Sequence, residues 1–186
     1  MSQKREVYIS VDVETSGPIP GVYSMLTIGA CNVYDPEQVF SCELKPISDN
    51  VDPEALAVTG LSMETLALKG LNPETAMMQF QDWVESVTGT DGVPVFVGLN
   101  APFDWSFINY YFHYFLRSNP FGFTALDIKA LFMGTTGSSW AGTRSSQMAT
   151  WLDSKYEGKL HEALDDAQYQ AEIFRLIRAI KPFQQR

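Results

Sequence analysis

Five residues stand out by type and position: Asp12, Glu14, Asp104, His161 and Asp166. Asp12 and Glu14 fall in Tyr8-Ile9-Ser10-Val11-Asp12-Val13-Glu14-Thr15, whose alternation predicts a β-strand from Val7 to Val13. Residues two apart on a strand share a face, their Cα atoms roughly 7 Å apart. Val7, Ile9, Val11 and Val13 then take the core face, and the two carboxylates take the other. Like charges that close favour a shared cation or a raised pKa, although a solvated strand face would carry the same pair. Asp104 falls in the first turn of a helix predicted from Pro102 to Leu116, where a carboxylate suits the helix dipole. On a helical wheel, however, Ile108, Tyr111 and Phe115 lie within roughly 40° of it. An acid on an apolar face needs a partner.

A last helix is predicted from His161 to about Ile180, stopped by Pro182. Relative to Asp166, Ile173, Ile177 and Ile180 all lie within roughly 40°. Asp166 is therefore at the centre of the inward stripe, and Asp165, roughly 100° away, is left for surface or capping work. His161 stands at the helix entrance, free to swing over such a site. His113, inside an aromatic helix, reads as a packed side chain.

Four inward acids and a histidine are the components of two-metal phosphodiester hydrolysis. Carboxylate oxygens suit Mg²⁺ or Mn²⁺. Two such ions roughly 3.5–4 Å apart stabilise the attacking and leaving oxygens of an in-line displacement. A histidine titrating near neutrality can take the proton of the attacking water. Charge points the same way. The net charge is −9, and residues 1–110 hold 4 basic and 15 acidic side chains against 9 and 7 in residues 111–186. So acidic a protein is a poor non-specific binder of polyanions. Bound cations would neutralise the site locally.

The elements that must position these residues fit a length of 186 residues as one domain, 1–186. A content of 45% hydrophobic residues with 12 Phe, 8 Tyr and 4 Trp is enough for a real core. Strands are predicted at Ser24–Tyr34 and Val39–Lys45, with Asp35-Pro36 as the turn between them, at Val93–Leu99, and at Thr124–Ile128. Helices are predicted at Pro53–Val58, capped by Asp52, from Asn72-Pro73-Glu74 to Val87, and at Ser145–Leu152. Asn100 is the expected cap of the helix carrying Asp104. Residues 134–143, rich in Gly, Ser and Thr, read as a mobile loop. A strand meander followed by strand–helix alternation predicts an α/β fold, a mixed sheet covered by helices. With no apolar run of membrane-spanning length, no signal peptide, and Cys31 and Cys42 read as buried reduced thiols, a cytoplasmic protein is expected.

The motifs resemble those of the DEDDh, or DnaQ-like, 3′–5′ exonucleases, which have the ribonuclease H-like fold with helices on both faces of the sheet. Asp12-Val13-Glu14-Thr15 matches the first family motif, Asn100-Ala101-Pro102-Phe103-Asp104 the second, and His161-Glu162-Ala163-Leu164-Asp165-Asp166-Ala167 the third. The resemblance covers about residues 7–180. It implies that Asp12, Glu14 and Asp166 hold the catalytic metal, that Asp104 acts through water, and that His161 is the general base. It implies two Mg²⁺ or Mn²⁺ ions and release of nucleoside 5′-monophosphates. Glu14 and Thr15 would meet the terminal 3′ nucleotide. Phe103 would wall its pocket or simply pack beside Asp104. Thr59-Gly60-Leu61 stands where many relatives read His-Gly-Ile, so the contact of Thr59 with the terminal base would differ from theirs.

The loop Gly17 to Met25 resembles a subgroup of stand-alone bacterial members and would shape the substrate entrance. Arg144, Lys155 and Lys159 are candidate phosphate contacts, or solvated surface. The implied partners are 3′ ends of single-stranded DNA or RNA, or short oligonucleotides, in preference to long duplexes. A homodimer is left open. A catalytically idle adaptor of the same fold, binding nucleic acid or a polymerase, is the alternative; the intact acid set favours the enzyme.

Overall fold

Alternation along the first strand holds. Val7, Ile9, Val11 and Val13 are all buried, in a strand β1 that runs Arg5–Thr15. The computed structural model describes residues 4–158 and 162–180. β1 is the centre of a five-stranded sheet of order β3-β2-β1-β4-β5. β2 (Met25–Asn32) and β3 (Asp35–Glu43) complete the antiparallel meander. β4 (Gly92–Gly98) and β5 (Ala125–Asp127) run parallel to β1. The three parallel strands therefore end at one edge of the sheet, the edge where open α/β sheets carry their sites.

Helices are α1 (Pro53–Thr59), α2 (Met63–Lys69), α3 (Pro73–Thr88), α4 (Ala101–Tyr111), α5 (Ile128–Thr136), α6 (Ser145–Leu152) and α7 (Ala163–Ala179). They cover both faces. On one, Met77 and Phe80 of α3 and Phe107, Ile108 and Tyr111 of α4 pack on the odd-numbered side chains of β1. On the other, Ile128 and Phe132 of α5, Met148 of α6, and Ile173, Phe174 and Ile177 of α7 form a second core with Cys31 and Val97. Among the described residues no helix is long and apolar enough to cross a membrane.

Three expectations are corrected, and one helix, α2, is added to those expected. The β2–β3 turn is Val33–Tyr34, so Asp35 and Pro36 lie inside β3. Pro36 is tolerated there because β3 is an edge strand, where a missing N–H costs no ladder bond. α2 follows α1 after a left-handed stop at Gly60, and its Ser62 cap accepts from Thr65 N–H. Residues 134–143 are not simply a loop. α5 runs through Gly134 and ends at Gly137, in the left-handed region at φ 72°, and Trp140–Thr143 forms a 3₁₀ turn. Asn100 makes no capping bond and is itself left-handed, at φ 68°. Asp127 does its work: Oδ2 accepts from Ala101 N–H at 2.8 Å, and Oδ1 caps α5 through Ala130 N–H at 2.7 Å. One carboxylate thus fixes two helix starts at the site edge. α4 continues into a π-helical turn, Phe112–Leu116, that ends at left-handed Arg117.

Candidate active site

Asp12 and Glu14 project from β1 towards α7, and Asp166 lies in the first turn of α7. Each offers a carboxylate oxygen, and these oxygens all lie within 4.8 Å of one another. All three residues are half-buried. Two strand residues and a helix residue over 150 positions along the chain meet because α7 approaches the sheet very closely. Ala163, Ala167 and Ala171, one turn apart along α7, are small and all buried. Facing them is Gly29, the register partner of Asp12 on β2. A Cβ there would stand 2.1 Å from the carbonyl carbon of Ala163 and 2.2 Å from Leu164 N. Backbone cannot yield as a side-chain tip can. Gly29→Ala is therefore expected to cost roughly 1–3 kcal/mol and to weaken Mn²⁺ binding by displacing Asp166. Thermal melts and a metal titration check this, and an unchanged variant would refute it.

Asp104 is 5% exposed, at the start of α4. The parallel pairing of β1 with β4 stops at Ser10–Val97. Beyond it Val13 N–H lacks a strand partner on that side and donates to Asp104 Oδ1 at 3.1 Å. Asp104 thus stands beside the three-carboxylate cluster, with one oxygen committed to β1. A buried residue that no motif pointed to joins them. Gln170 Nε2 donates to Asp12 Oδ1 at 2.6 Å, and Leu99 N–H donates to Gln170 Oε1 at 2.9 Å. The available signal was a polar residue one turn after Asp166 on an otherwise apolar stripe.

Burial and mutual repulsion act on these acids. Asp12 is held well above the usual carboxylate range, first by desolvation, then by the charges of Asp104, Asp166 and Glu14, against the Gln170 bond. Desolvation and Asp166 push Glu14 up to about 7. Desolvation raises Asp104 to about 7, partly offset by the Val13 bond. Such a donor set, crowded hard oxygens that resist ionising alone, suits divalent cations such as Mg²⁺ or Mn²⁺.

The same shifts fix how the metal-free protein responds to pH. The folded state holds protons that the unfolded chain releases near pH 4, so folding takes up protons and stability falls as pH rises from about 4 to about 7. The metal-free protein is expected to melt about 5 °C or more higher at pH 5 than at pH 8. Saturating Mn²⁺ should narrow the gap by stabilising the ionised acids. Melting curves that are flat, or that rise with pH, would contradict this.

Of the remaining predicted residues, Thr59 lines a cleft of about 480 Å³ together with Glu14, Thr27, Leu61, Glu162 and Leu164, among others. Thr59 Oγ1 donates to Leu56 O at 3.0 Å and accepts from Leu61 N–H at 3.2 Å, which shapes the turn at the cleft wall. Thr27 Oγ1, also in the cleft, has no hydrogen-bond partner. Thr15 is buried, and its hydroxyl donates to Gly17 O at 2.9 Å. Phe103 is in ring contact with Phe107 and packs on the core; it is not among the cleft-lining residues. Lys155 pairs with Asp153, both exposed. His161 and Lys159 lie outside the described residues, and Glu162, next to His161, lines the cleft. Cys31 and Cys42 are free thiols that burial pushes up to about 12.

The RNase T exonuclease family model matches residues 9–174. The chain is 56% identical over 177 residues, 95% of its length and 94% of the relative's, to the 3′–5′ DNA exonuclease Cap18 of Escherichia coli. Its fold matches the nuclease domain of 3′hExo, a DEDDh family member bound to rAMP, with a TM-score of 0.74 at 17% identity, covering 95% of this chain and 92% of that one. It also matches Escherichia coli exonuclease I in complex with a dT13 oligonucleotide, with a TM-score of 0.71 at 16% identity. That match covers 94% of this chain but spans 41% of exonuclease I. With the acid cluster at the parallel edge of a ribonuclease H-like sheet, and with a family match over nearly its whole length, the chain belongs to the RNase T exonuclease family and is a 3′–5′ exonuclease.

Proposed function

We propose that this enzyme removes nucleotides from the 3′ ends of single-stranded DNA or short oligonucleotides, with Asp12, Glu14 and Asp166 holding divalent cations. The observation that carries the reading is the convergence of three carboxylate oxygens within 4.8 Å. Mg²⁺ or Mn²⁺ bound there, two ions by the charge of the donor set, would neutralise the scissile phosphate and stabilise the attacking and leaving oxygens. Asp104 supports the cluster from the side and anchors β1 through Val13. His161, beside cleft-lining Glu162, accepts the proton of the attacking water at an imidazole nitrogen. The water oxygen bonds to phosphorus and the bond to the 3′ oxygen breaks. The released nucleotide keeps a 5′-phosphate, and the shortened strand keeps a 3′-hydroxyl. The cleft beside Glu14, walled by Thr59 and Leu61, takes the terminal nucleotide, with Thr15 and Phe103 as supports behind it rather than open contacts.

DNA rather than RNA is supported by the named activity of the 56% identical relative. Single strands and short oligonucleotides are supported by the net charge of −9, which disfavours long duplexes. A homodimer is not required, since one chain supplies every acid of the cluster. Cytoplasmic residence agrees with the two free cysteines. The idle adaptor is disfavoured, because idleness removes the pressure to keep a costly acid cluster. The test uses 5′-labelled single-stranded DNA, RNA and duplex with Mg²⁺, Mn²⁺ or EDTA. A metal-dependent ladder, fastest on single-stranded DNA, is expected. Internal cuts, or a ladder that survives EDTA, would overturn the reading.

A further inference from the structure

Gln170 belongs to none of the three motifs, yet it is 3% exposed and bonds two other elements at once. Its amide orientation is fixed by chemistry. Leu99 N–H can only donate, so the side-chain oxygen faces Leu99 and the NH₂ group faces Asp12. Leu99 directly precedes left-handed Asn100, where the chain turns into α4 and so into Asp104. Asp166 lies one turn before Gln170 on α7, and residues four apart project alike. One amide therefore joins β1 and α7, which carry three of the acids, to the β4–α4 turn that leads into the helix of the fourth.

Satisfying Leu99 alone would not require a donor aimed at a carboxylate. A neutral amide also suits the place, because Lys or Arg there would compete with a cation for Asp12. We propose that Gln170 is a positioning residue: by donating to Asp12 Oδ1 it fixes the Asp12 rotamer, leaves the other oxygen for the divalent cation, and so sets the metal affinity of the site. This inference rests on the metal-centre reading above. Hydrogen bonds of this kind to a metal ligand typically change affinity by about 10–100-fold.

The test is a calorimetric Mn²⁺ titration at fixed pH of the parent, Gln170→Met, Asp12→Ala and the double variant, with kcat measured against Mn²⁺ concentration. Gln170→Met is expected to bind Mn²⁺ about 10–100-fold more weakly while recovering kcat to within a few-fold at saturating metal. In the Asp12→Ala background, where the acceptor is gone, it should change affinity no further. A purely structural role would lower the melting temperature and leave Mn²⁺ affinity alone, and that result would overturn the inference. The parent supplies a check that does not depend on the variant folding. Its Gln170 side-chain amide resonances should shift when Mg²⁺ is added and in Asp12→Asn; unmoved resonances would overturn the inference. A parent that binds no Mn²⁺ refutes the metal centre itself. A parent that binds, beside a Gln170→Met that binds equally well, refutes the role of Gln170 alone.

Discussion

Asp12→Asn is expected to lower turnover on single-stranded DNA by about 10³-fold or more, yet to leave the metal-free protein as stable as the parent at pH 8, or more so. The two halves have one cause. Asp12 receives the repulsion of Asp104, Asp166 and Glu14 on top of its own desolvation. Ionised and without a cation it is a liability to the fold, so a neutral isostere removes a destabilising charge. Asn keeps a carbonyl oxygen for the Gln170 donor, so the local packing survives. What it loses is the charge that draws a divalent ion. An ordinary structural residue behaves the other way, losing stability and activity together. Melting curves of the metal-free proteins beside single-turnover rates check both halves. A variant that melts lower than the parent at pH 8, or that cuts DNA at a comparable rate, would contradict the assignment.

His161→Gln is expected to lower kcat by about 10²–10⁴-fold, the usual worth of a positioned general base, with Mn²⁺ affinity within a few-fold of the parent. The expectation comes from chain order and from the cleft. Glu162, the next residue of the same motif, lines the cleft, and α7 begins at Ala163. Glutamine retains polarity and approximate size but takes no proton at neutral pH. The parent should gain rate with pH through the titration of the base, and the variant should lose that limb of the profile. Loss of Mn²⁺ binding comparable to that of Asp12→Asn would instead make His161 a metal ligand, and full activity would remove it from the chemistry.

Much of this site was legible in the sequence because the rules that reveal it are local. Alternation alone put Asp12 and Glu14 opposite the apolar face of β1, and Val7, Ile9, Val11 and Val13 are buried as that requires. The 3.6-residue period alone put Asp166, rather than Asp165, in line with Ile173 and Ile177. The features it did not reveal are long-range. Gln170 and Asp12 are 158 residues apart, and nothing near Gln170 in the chain announces the carboxylate it bonds. Gly29 reads as a weak point in a strand until the backbone of α7 is seen against it. α5 was hidden by its own composition. Gly134 lies inside it, and its N-terminus is set by Asp127, which also holds the start of α4. The β2–β3 turn was misplaced because Asp-Pro is a turn dipeptide by propensity, whereas an edge strand accepts it.

The central claim is that Asp12, Glu14 and Asp166 share divalent cations. Anomalous diffraction from crystals soaked in Mn²⁺ and thymidine 5′-monophosphate tests it directly. The account predicts two peaks about 3.5–4 Å apart, each within about 2.0–2.4 Å of oxygens from these carboxylates. Anomalous density elsewhere on the molecule, with none between β1 and α7, would contradict it.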